Sequence, residues 1–452
     1  MARQFHLGAI LSGVGIDQNS WRHPDLPGDA SVDIDWFIAN ARKAEAAKFD
    51  VVFIVDSPYI TPDTAPHFLN RLEPLTLLSA VAVTTSRIGL VGTATTSFNE
   101  PYNIARQFGS LDLISRGRAG WNVVTTGLEG AARNYSRDAH FEHGLRYRRA
   151  AEHVAVVQGL WDSYEDDAFP RDKERGVFLD KAKQHALNHK GEFFSVAGPL
   201  NIQRSRQGQP VIFQAGESDQ GRQFGASIAE GIYSNAESFE QAREYYQDVK
   251  QRAAALGRDP DHISIMPGLI PIIADSDAEA RERAEEARGR LDLKKALVQL
   301  GRPFNYHDFS QYELDAPFPD LSHVTLNSYK GHAERIIRIA RAEGLTLRQA
   351  AWRFADKRSA FVGTAETVAD EIEHWFRDGA ADGFNFRVSN PTDFQLFLDR
   401  VVPLLQRRGL FRTEYEHATL RGHLGLPVPR NRHTLARERA AQVTPAHELA
   451  EA

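Results

Sequence analysis

The chain has 452 residues, of which 42% are apolar and 25% are charged, and its formal net charge is −6. A simple barrel domain needs about 250 residues and one with insertions can exceed about 400, so the length allows one elaborated domain or two. The acidic balance and the scattered basic residues argue against a nucleic acid as the main partner, because binding a polyanion requires a basic surface.

Eight short β-rich segments recur along the chain and predict eight strands. In chain order they are residues 6–11, 50–56, 87–97, 118–126, 210–216, 231–236, 263–274 and 383–389. Eight strands that alternate with helices are what a (β/α)8 barrel requires. We therefore predict an α/β fold, a TIM barrel with parallel strands and long insertions.

Amphipathic stretches predict the helices of this barrel. They are residues 35–48, 74–84, 104–114, 141–161, 220–229, 239–256, 277–292, 365–378 and 394–406. Asp35 and Ser276 are candidate N-caps, and Pro74 and Pro101 suit a first helical turn. The alternation of strands and helices favours parallel pairing.

Two stretches interrupt the alternation and are predicted to be insertions. Residues 163–209 combine charges, Gly and Pro, whereas residues 296–330 are rich in aromatics and Pro without a clear period. The aromatic content of residues 303–325 favours a packed lid over a disordered loop. We assign residues 1–427 to one domain and residues 428–452 to a C-terminal extension that is mobile or wraps a partner.

The chain contains few features of secreted, membrane or metal proteins. Its N-terminal region has only a five-residue apolar run, residues 7–11, too short for a signal peptide or a transmembrane helix. It has no cysteine, and neither an HExxH motif nor a His-x-His pair is present. We expect a cytoplasmic protein with no membrane partner and no metal site.

Polar side chains at the ends of predicted strands are candidate site residues, because barrel enzymes build their sites at the C-terminal end. Asp56 ends the second strand, although an Asp before a Ser-Pro pair also suits a plain turn. Thr93 points to one face of the third strand and could meet a ring edge, but threonine is also a common strand residue. Thr126 ends the fourth strand, in a sequence that is ordinary for a strand exit.

Two further places suit an anionic group. His143 and Tyr147 are four residues apart, so they share a helix face and could converge on a phosphate, or else pack in the core. Residues 214–221 lie between a strand and a helix, where free N–H groups and the Ser218 hydroxyl could face an anion. An ordinary N-cap explains Ser218 equally well. Residues 13–15 lack the third glycine of a dinucleotide motif, which argues against a Rossmann domain.

Seven segments together carry a resemblance to a known family. They are WRHP (21–24), KFDVVFIVD (48–56), PYNIARQFGSLDLISRGRAGWNVVTT (101–126), EHGLRYRRAAE (142–152), GPLNIQRSRQGQPVIFQAG (198–216), GAADGFN (379–385) and RGLFRTEYEHATLRGHLGLP (408–427). Over roughly residues 5–427 the chain resembles the family of nitrilotriacetate monooxygenase, pristinamycin IIA synthase and dibenzothiophene-sulfone monooxygenase. These enzymes form the long-chain branch of the bacterial-luciferase-like flavin-dependent monooxygenases.

The resemblance implies a luciferase-like barrel that binds FMN as FMNH2, reacts it with O2 to a flavin hydroperoxide and oxygenates a small organic substrate. The implied substrate is a sulfone, an aminopolycarboxylate, an amine or a similar molecule. The implied partner is a separate NAD(P)H:flavin reductase, and the implied assembly is a homodimer or homotetramer. We expect residues 303–325 to form a lid that keeps water from the flavin. Family positions that contact the flavin correspond to Asp56, Thr93, Thr126, His143, Tyr147 and Ser218.

The sequence also departs from the family pattern. Thr126 stands where several relatives carry Ser, and Gly127 stands where the alkane-oxidising branch carries a histidine, which argues against long-chain alkanes as substrates. His23, Phe304 and His307 are candidate pocket-lining residues, and no catalytic acid or base is identified. Two alternatives stay open: a deazaflavin-dependent oxidoreductase on the same barrel, and a non-catalytic flavin-binding relative. The presence of residues 296–330 argues against the second.

Overall fold

Eight parallel strands form the frame of the computed structural model, which describes residues 4–289, 292–321, 324, 329–355 and 359–443. In chain order they are β1 (His6–Ile10), β2 (Val51–Ile54), β3 (Gly89–Thr95), β4 (Ala119–Val124), β5 (Val211–Gln214), β6 (Gly231–Ser234), β7 (Ser264–Leu269) and β8 (Gly383–Arg387). Each strand pairs with its neighbours in the sequence, and β8 pairs with β1, so the sheet closes. The predicted TIM barrel is confirmed.

Helices surround the barrel. They are α1 (Ile34–Ala46), α2 (Pro66–Leu69), α3 (Pro74–Ala82), α4 (Pro101–Ile114), α5 (His143–Trp161), α6 (Asp219–Ile228), α7 (Phe239–Ala255), α8 (Asp277–Gly289), α9 (Leu293–Gly301), α10 (Lys330–Ala342), α11 (Leu347–Ala355), α12 (Ala365–Arg377), α13 (Pro391–Leu396), α14 (Val402–Arg407), α15 (Leu420–His423) and α16 (Arg432–Val443). A π-helical segment, Phe397–Val401, joins α13 to α14. Within the described residues, none of the helices is long and apolar enough to cross a lipid bilayer.

Two local predictions were wrong. The strand predicted over residues 263–274 ends at Leu269, and Ile272–Ile273 pairs instead with Val362–Gly363 outside the barrel. Pro271 lies between the two pieces and lacks the N–H that a continuous ladder needs. The N-cap of α1 is Asp33, whose side chain accepts from the Asp35 N–H at 2.9 Å, so Asp35 lies inside the first turn.

One end of the barrel is closed by the C-terminal part of the chain. Leu420, in α15, is fully buried against the first residue of β3, because a Cβ placed on Gly89 would lie 2.6 Å from Leu420 Cδ1. Asp50, which precedes β2, is buried beside the Arg412 guanidinium and accepts from the Leu7 N–H at 2.8 Å. The N-terminal end of the barrel is therefore filled, and the open end is the one where the strands terminate.

The second interruption is more ordered than the sequence suggested. Helices α9, α10 and α11 pack around Phe304, Phe309 and Leu321, all buried in an apolar cluster separate from that of the barrel. Phe304 is completely buried there, so it packs this cluster and the expectation that it lines a pocket was wrong. The sequence missed these helices because α9 and α11 are only nine residues long and pack mainly against each other.

Parts of three predictions lie outside the described residues. They are the end of the helix predicted over residues 277–292, parts of the lid at residues 303–325, and residues 444–452 of the extension. The first interruption, residues 163–209, contains one pair of antiparallel strands, His189–Lys190 with Ser195–Val196, and three isolated antiparallel bridges. It also supplies the surface on which the extension packs.

The extension differs from the mobile or partner-wrapping tail that the sequence predicted. Asn431 is buried, and its Nδ2 donates to the carbonyl oxygens of Asp162 and Tyr164 at 3.1 and 2.8 Å. In α16, Arg437 donates twice to the Glu165 carboxylate at 2.6 Å. The tail packs on its own chain because it satisfies buried polar groups of residues 162–165.

We predict that this contact is lost in acid. Donation from Arg437, Thr434 and His185 holds the pKa of Glu165 at about 2, against an ordinary value of 4.5. A depressed folded-state pKa gives stability above pH 4.5 that is lost as the pH falls toward 2. Hydrogen exchange of α16 should therefore rise progressively below pH 4.5.

A matched variant separates this effect from general acid unfolding. In Glu165→Gln the α16 amides should already exchange roughly tenfold or more faster at neutral pH, since charged hydrogen bonds are lost. Their exchange should also change less between pH 5 and 2, once corrected for the intrinsic rate. An α16 that is equally protected in both proteins at every pH would contradict the prediction.

Candidate functional site

Asp56 follows β2 at the open end of the barrel, as the sequence predicted. Its carboxylate lies 3.9 Å from Arg71 Nε, and the Arg71 guanidinium also donates to the Val55 carbonyl. Burial raises the pKa of Asp56 above its ordinary value, and the charge of Arg71 opposes that rise. The end of β2 thus carries a carboxylate and a guanidinium that are both largely shielded from water.

Thr93 lies next to the barrel axis with a polar neighbour from β4. Its hydroxyl oxygen accepts from Asn122 Nδ2 at 2.9 Å, and both residues are buried. Asn122 Oδ1 is buried and has no hydrogen-bond partner in the described part of the chain. Because a buried acceptor without a donor is costly, this oxygen is available to an N–H or O–H group of a ligand.

Thr126 follows β4 in a backbone conformation that is unusual for threonine. Its φ is +43°, in the left-handed region that a β-branched residue disfavours. Its hydroxyl donates to Thr95 Oγ1 at 2.6 Å, and its carbonyl accepts from His140 Nε2 at 2.9 Å and from Arg146 Nη1 at 2.5 Å. These bonds hold the strained turn, which is typical of functional sites.

His143, Tyr147 and Ser218 are brought together although two of them are far from the third in sequence. His143 begins α5, and its Nδ1 lies 2.5 Å from Gln220 Oε1 in the first turn of α6. The rings of His143 and Tyr147 are 5.1 Å apart, and the Tyr147 hydroxyl would lie 3.0 Å from a Cβ placed on Gly221. Ser218 caps α6 by accepting from the Gly221 N–H at 3.1 Å. All three residues therefore surround the first turn of α6.

A third helix begins at the same point. Gly331, in the first turn of α10, packs so closely on Ser218 that a Cβ on it would lie 2.8 Å from the Ser218 nitrogen. Burial lowers the pKa of His143 below its ordinary value, and the charges of Arg146 and Lys330 act in the same direction. The N-terminal ends of α5, α6 and α10, which carry the positive ends of the helix dipoles, converge near the charges of Arg146 and Lys330. This arrangement suits an anion.

The sequence analysis missed several residues of this site. Arg71, Asn122, His140 and Arg146 each contact one of the predicted residues, but none was singled out. A usable signal existed for Asn122 and Arg146, since each lies within one of the motifs that carry the resemblance. Burial lowers the pKa of His140 to about 4, so this histidine is neutral when it bonds Thr126.

Residues of the second interruption lie over this end of the barrel. Asn305 Oδ1 accepts from the Glu129 N–H at 3.1 Å, and the Thr64 hydroxyl donates to Tyr306 at 3.1 Å. The Tyr329 ring covers Gly127, because a Cβ on that glycine would lie 2.7 Å from two ring carbons. The inserted segment is thus fastened to the loops that follow β2 and β4.

The structure does not bring the two candidate histidines into the group around α6. His23 Nδ1 accepts from the Asp25 N–H at 3.2 Å, within its own turn. His307 Nε2 lies 3.0 Å from the Tyr312 hydroxyl, inside the second interruption. The pocket-lining role of both residues stays a prediction.

The profile of the family described as luciferase-like monooxygenase matches residues 19–382. N-acetyl-S-(2-succino)cysteine monooxygenase of Bacillus subtilis (strain 168) is 48% identical to the chain, over 95% of this chain and 98% of that protein. Nitrilotriacetate monooxygenase component A of Aminobacter aminovorans is 40% identical, over 95% of this chain and 98% of that protein. Dibenzothiophene-sulfone monooxygenase of Rhodococcus erythropolis (strain XP) is 36% identical, over 94% and 98%.

Solved structures give the same result. EDTA monooxygenase from Chelativorans sp. BNC1 superposes with a TM-score of 0.78 at 32% identity, over 95% of this chain and 100% of that one. A riboflavin lyase, solved with modified FMN and riboflavin, superposes with a TM-score of 0.83 at 31% identity, over 94% and 97%. The resemblance that the sequence motifs indicated is therefore confirmed.

Proposed function

Since the chain belongs to the luciferase-like monooxygenase family and is a flavin-dependent monooxygenase, we propose that it uses reduced FMN delivered by a separate NAD(P)H:flavin reductase. The proposed substrate is a small organic molecule such as a sulfone, an aminopolycarboxylate or an amine. The nitrilotriacetate relative is named as one component of its enzyme, which supports a system of two components. When bound, reduced FMN supplies the electrons that activate O2 for transfer of one oxygen atom to the substrate.

The observation that carries this proposal is the convergence of α5, α6 and α10. FMN has a phosphate, and Tyr147 and Ser218 offer hydroxyl groups beside three helix N-termini. Ser218 Oγ accepts from the Gly221 N–H, so its own proton is available for donation to a phosphate oxygen. The residues present therefore fit the phosphate of FMN.

The residues at the strand ends fit the flavin ring. The unsatisfied Asn122 Oδ1 could accept from a ring N–H, and Thr93 lies beside it. Asp56 and Thr126 close the neighbouring strand ends, and we propose that they contact the ring as well. The inserted segment would exclude water above the ring, since residues 305–306 and Tyr329 already contact the loops around this end of the barrel.

The proposal extends to the organisation of the protein. We propose that residues 1–427 act as one catalytic domain, that residues 428–452 extend it, and that the enzyme works in the cytoplasm as a homodimer or homotetramer. Light scattering coupled to size-exclusion chromatography would measure the assembly. A monomer at all concentrations would contradict that part of the proposal without affecting the chemistry.

The function is tested by incubating the chain with an FMN reductase, NADH and 18O2 against sulfones, aminopolycarboxylates and amines. Incorporation of one labelled oxygen atom into a product supports the proposal. Turnover that requires a deazaflavin and no O2 would favour the deazaflavin-dependent alternative. Binding of reduced FMN without any product from the panel would favour the non-catalytic one.

We predict that the purified chain is nearly colourless. A two-component oxygenase receives its flavin reduced and releases it oxidised, so oxidised FMN should bind weakly. Visible absorbance of the purified protein measures the bound flavin. A preparation that retains oxidised flavin in a one-to-one ratio through gel filtration would contradict the prediction.

A further inference from the structure

Two arginines share one aromatic ring near the end of β2. The guanidinium carbon of Arg71 lies 5.2 Å from the ring centre of Phe68, and that of Arg302 lies 4.6 Å from the same centre. Arg71 follows α2, whereas Arg302 belongs to the second interruption. The loop after β2 and the inserted segment thus each contribute one cation to the same place.

This pair has too few anionic partners for its charge. Asp56 lies 3.9 Å from Arg71 Nε, and no carboxylate of the described residues forms an ion pair with Arg302. Arg71 Nε and Nη1 and Arg302 Nε are buried without a hydrogen-bond partner in the described part of the chain. Asp56 pairs with Arg71 alone, so the charge of Arg302 has no carboxylate counterpart among the described residues. Buried N–H groups without acceptors are costly.

The place is distinct from the group around α6. Arg71 lies beside the end of β2, whereas His143 and Ser218 belong to the helices that follow β4 and β5. In a closed barrel of eight strands, β2 and β5 are three positions apart, so their ends lie nearly across the mouth. The FMN phosphate that we assign to α6 therefore leaves Arg71 Nε, Arg71 Nη1 and Arg302 Nε without an acceptor.

We propose that Arg71 and Arg302 bind a carboxylate group of the substrate, so that the enzyme acts on small carboxylic acids. This proposal rests on the proposed function and names its substrate class. A guanidinium offers a planar fork that matches a carboxylate, and Phe68 keeps water from one side of both forks. A neutral sulfone or hydrocarbon would leave the buried donors unsatisfied.

Binding is tested by calorimetry on the flavin-free chain with two acid probes, thiodiglycolate and iminodiacetate, each paired with its neutral dimethyl ester. Wild type should bind at least one acid and neither ester. In Arg302→Gln the Kd of that acid should rise about 10- to 150-fold, since a charge-assisted hydrogen bond is lost. Arg302→Lys keeps the positive charge but lacks the planar guanidinium, so its Kd for the acid should lie between those of wild type and Arg302→Gln.

Arg302 suits this experiment because its side chain forms no hydrogen bond or ion pair with the described residues, so its replacement should not unfold the protein. Arg353, in α11, is exposed, and Arg353→Gln is the matched control. The control should bind the acid like wild type. The Kd of FMNH2 should be unchanged in Arg302→Gln.

Several results would overturn the proposal. They are equal binding of acid and ester, no binding of either acid, an unchanged Kd in Arg302→Gln, or a rise in the Kd of FMNH2 in place of that of the acid. Oxygenation of neutral sulfones or amines but not of acids would also overturn it while the proposed function stands. Acid binding that depends on Arg302, with no oxygenated product in any assay, would instead refute the proposed function. The proposal that Arg71 and Arg302 bind a carboxylate would then still stand.

Discussion

Replacing Tyr147 with Phe, or Ser218 with Ala, is expected to raise the FMNH2 concentration for half-maximal turnover about 10- to 150-fold. Each change removes a hydroxyl that lies beside the first turn of α6, where three helix N-termini converge. A hydrogen bond to a charged phosphate contributes roughly 1.5–3 kcal/mol, which sets this range. The rate at saturating flavin should stay within a few-fold, because the phosphate lies far from the reacting ring.

Ser218 also caps α6, so the variant needs a control for lost helix stability. Ser238 caps α7 in the same way, accepting from the Gln241 N–H at 3.4 Å, and lies outside the proposed site. Ser238→Ala should lose about 1 kcal/mol of stability without changing the flavin requirement. Ser218→Gly keeps most of the capping energy but lacks the hydroxyl, so it should weaken flavin binding as much as Ser218→Ala does.

Reduced riboflavin provides the decisive comparison. It lacks the phosphate and should bind wild type and both variants about equally. The preference for FMN over riboflavin should therefore shrink in Tyr147→Phe and Ser218→Ala. If the variants discriminate between the two flavins as strongly as wild type does, these residues do not bind the phosphate.

Gly127→Ala is expected to uncouple flavin oxidation from product formation. A Cβ at this position would lie 2.7 Å from the Tyr329 ring, so the ring must leave its place over the end of β4. Overpacking of this kind costs about 1–3 kcal/mol. The population in which the Tyr329 ring lies over residue 127 should therefore fall roughly 5- to 150-fold relative to the displaced population. Water would then reach the flavin, and most of the consumed O2 should appear as H2O2.

The measurement is the amount of H2O2 and of product formed per NADH consumed. Gly28→Ala is the matched control, because nothing lies within 4 Å of a Cβ placed there. It should couple like wild type. Unchanged coupling in Gly127→Ala would show that Tyr329 does not seal the site and would count against a lid formed by the inserted segment.

The sequence determined the barrel because its signals are local. Each strand is a short β-rich run, and each of the predicted helices shows its own amphipathic pattern. The number of strands and their alternation with helices then allow few topologies, because crossovers between parallel strands are nearly always right-handed. The positions of Asp56 and Thr126 just after strand ends, and of Thr93 on one face of β3, followed from that topology alone.

The tertiary structure decided what depends on contacts between distant segments. The sequence offers His143 and Gln220 as unrelated polar residues, yet their side chains meet at 2.5 Å because α5 and α6 pack together. Whether an arginine is paired is a property of its surroundings, so Arg302 could not be recognised before Phe68 and Arg71 were placed beside it.

The same reason explains the tail and the insertion. Residues 428–443 have a polar composition that suits a mobile segment, and only the buried Asp162 and Glu165 of another segment give Asn431 and Arg437 their partners. The short helices around Phe304 have weak signals individually and are stable through one shared apolar cluster. Periodicity in the sequence is enough to predict a helix or a strand. Which other segments that element packs against depends on the surface that each contact buries, and this is known only from the folded structure.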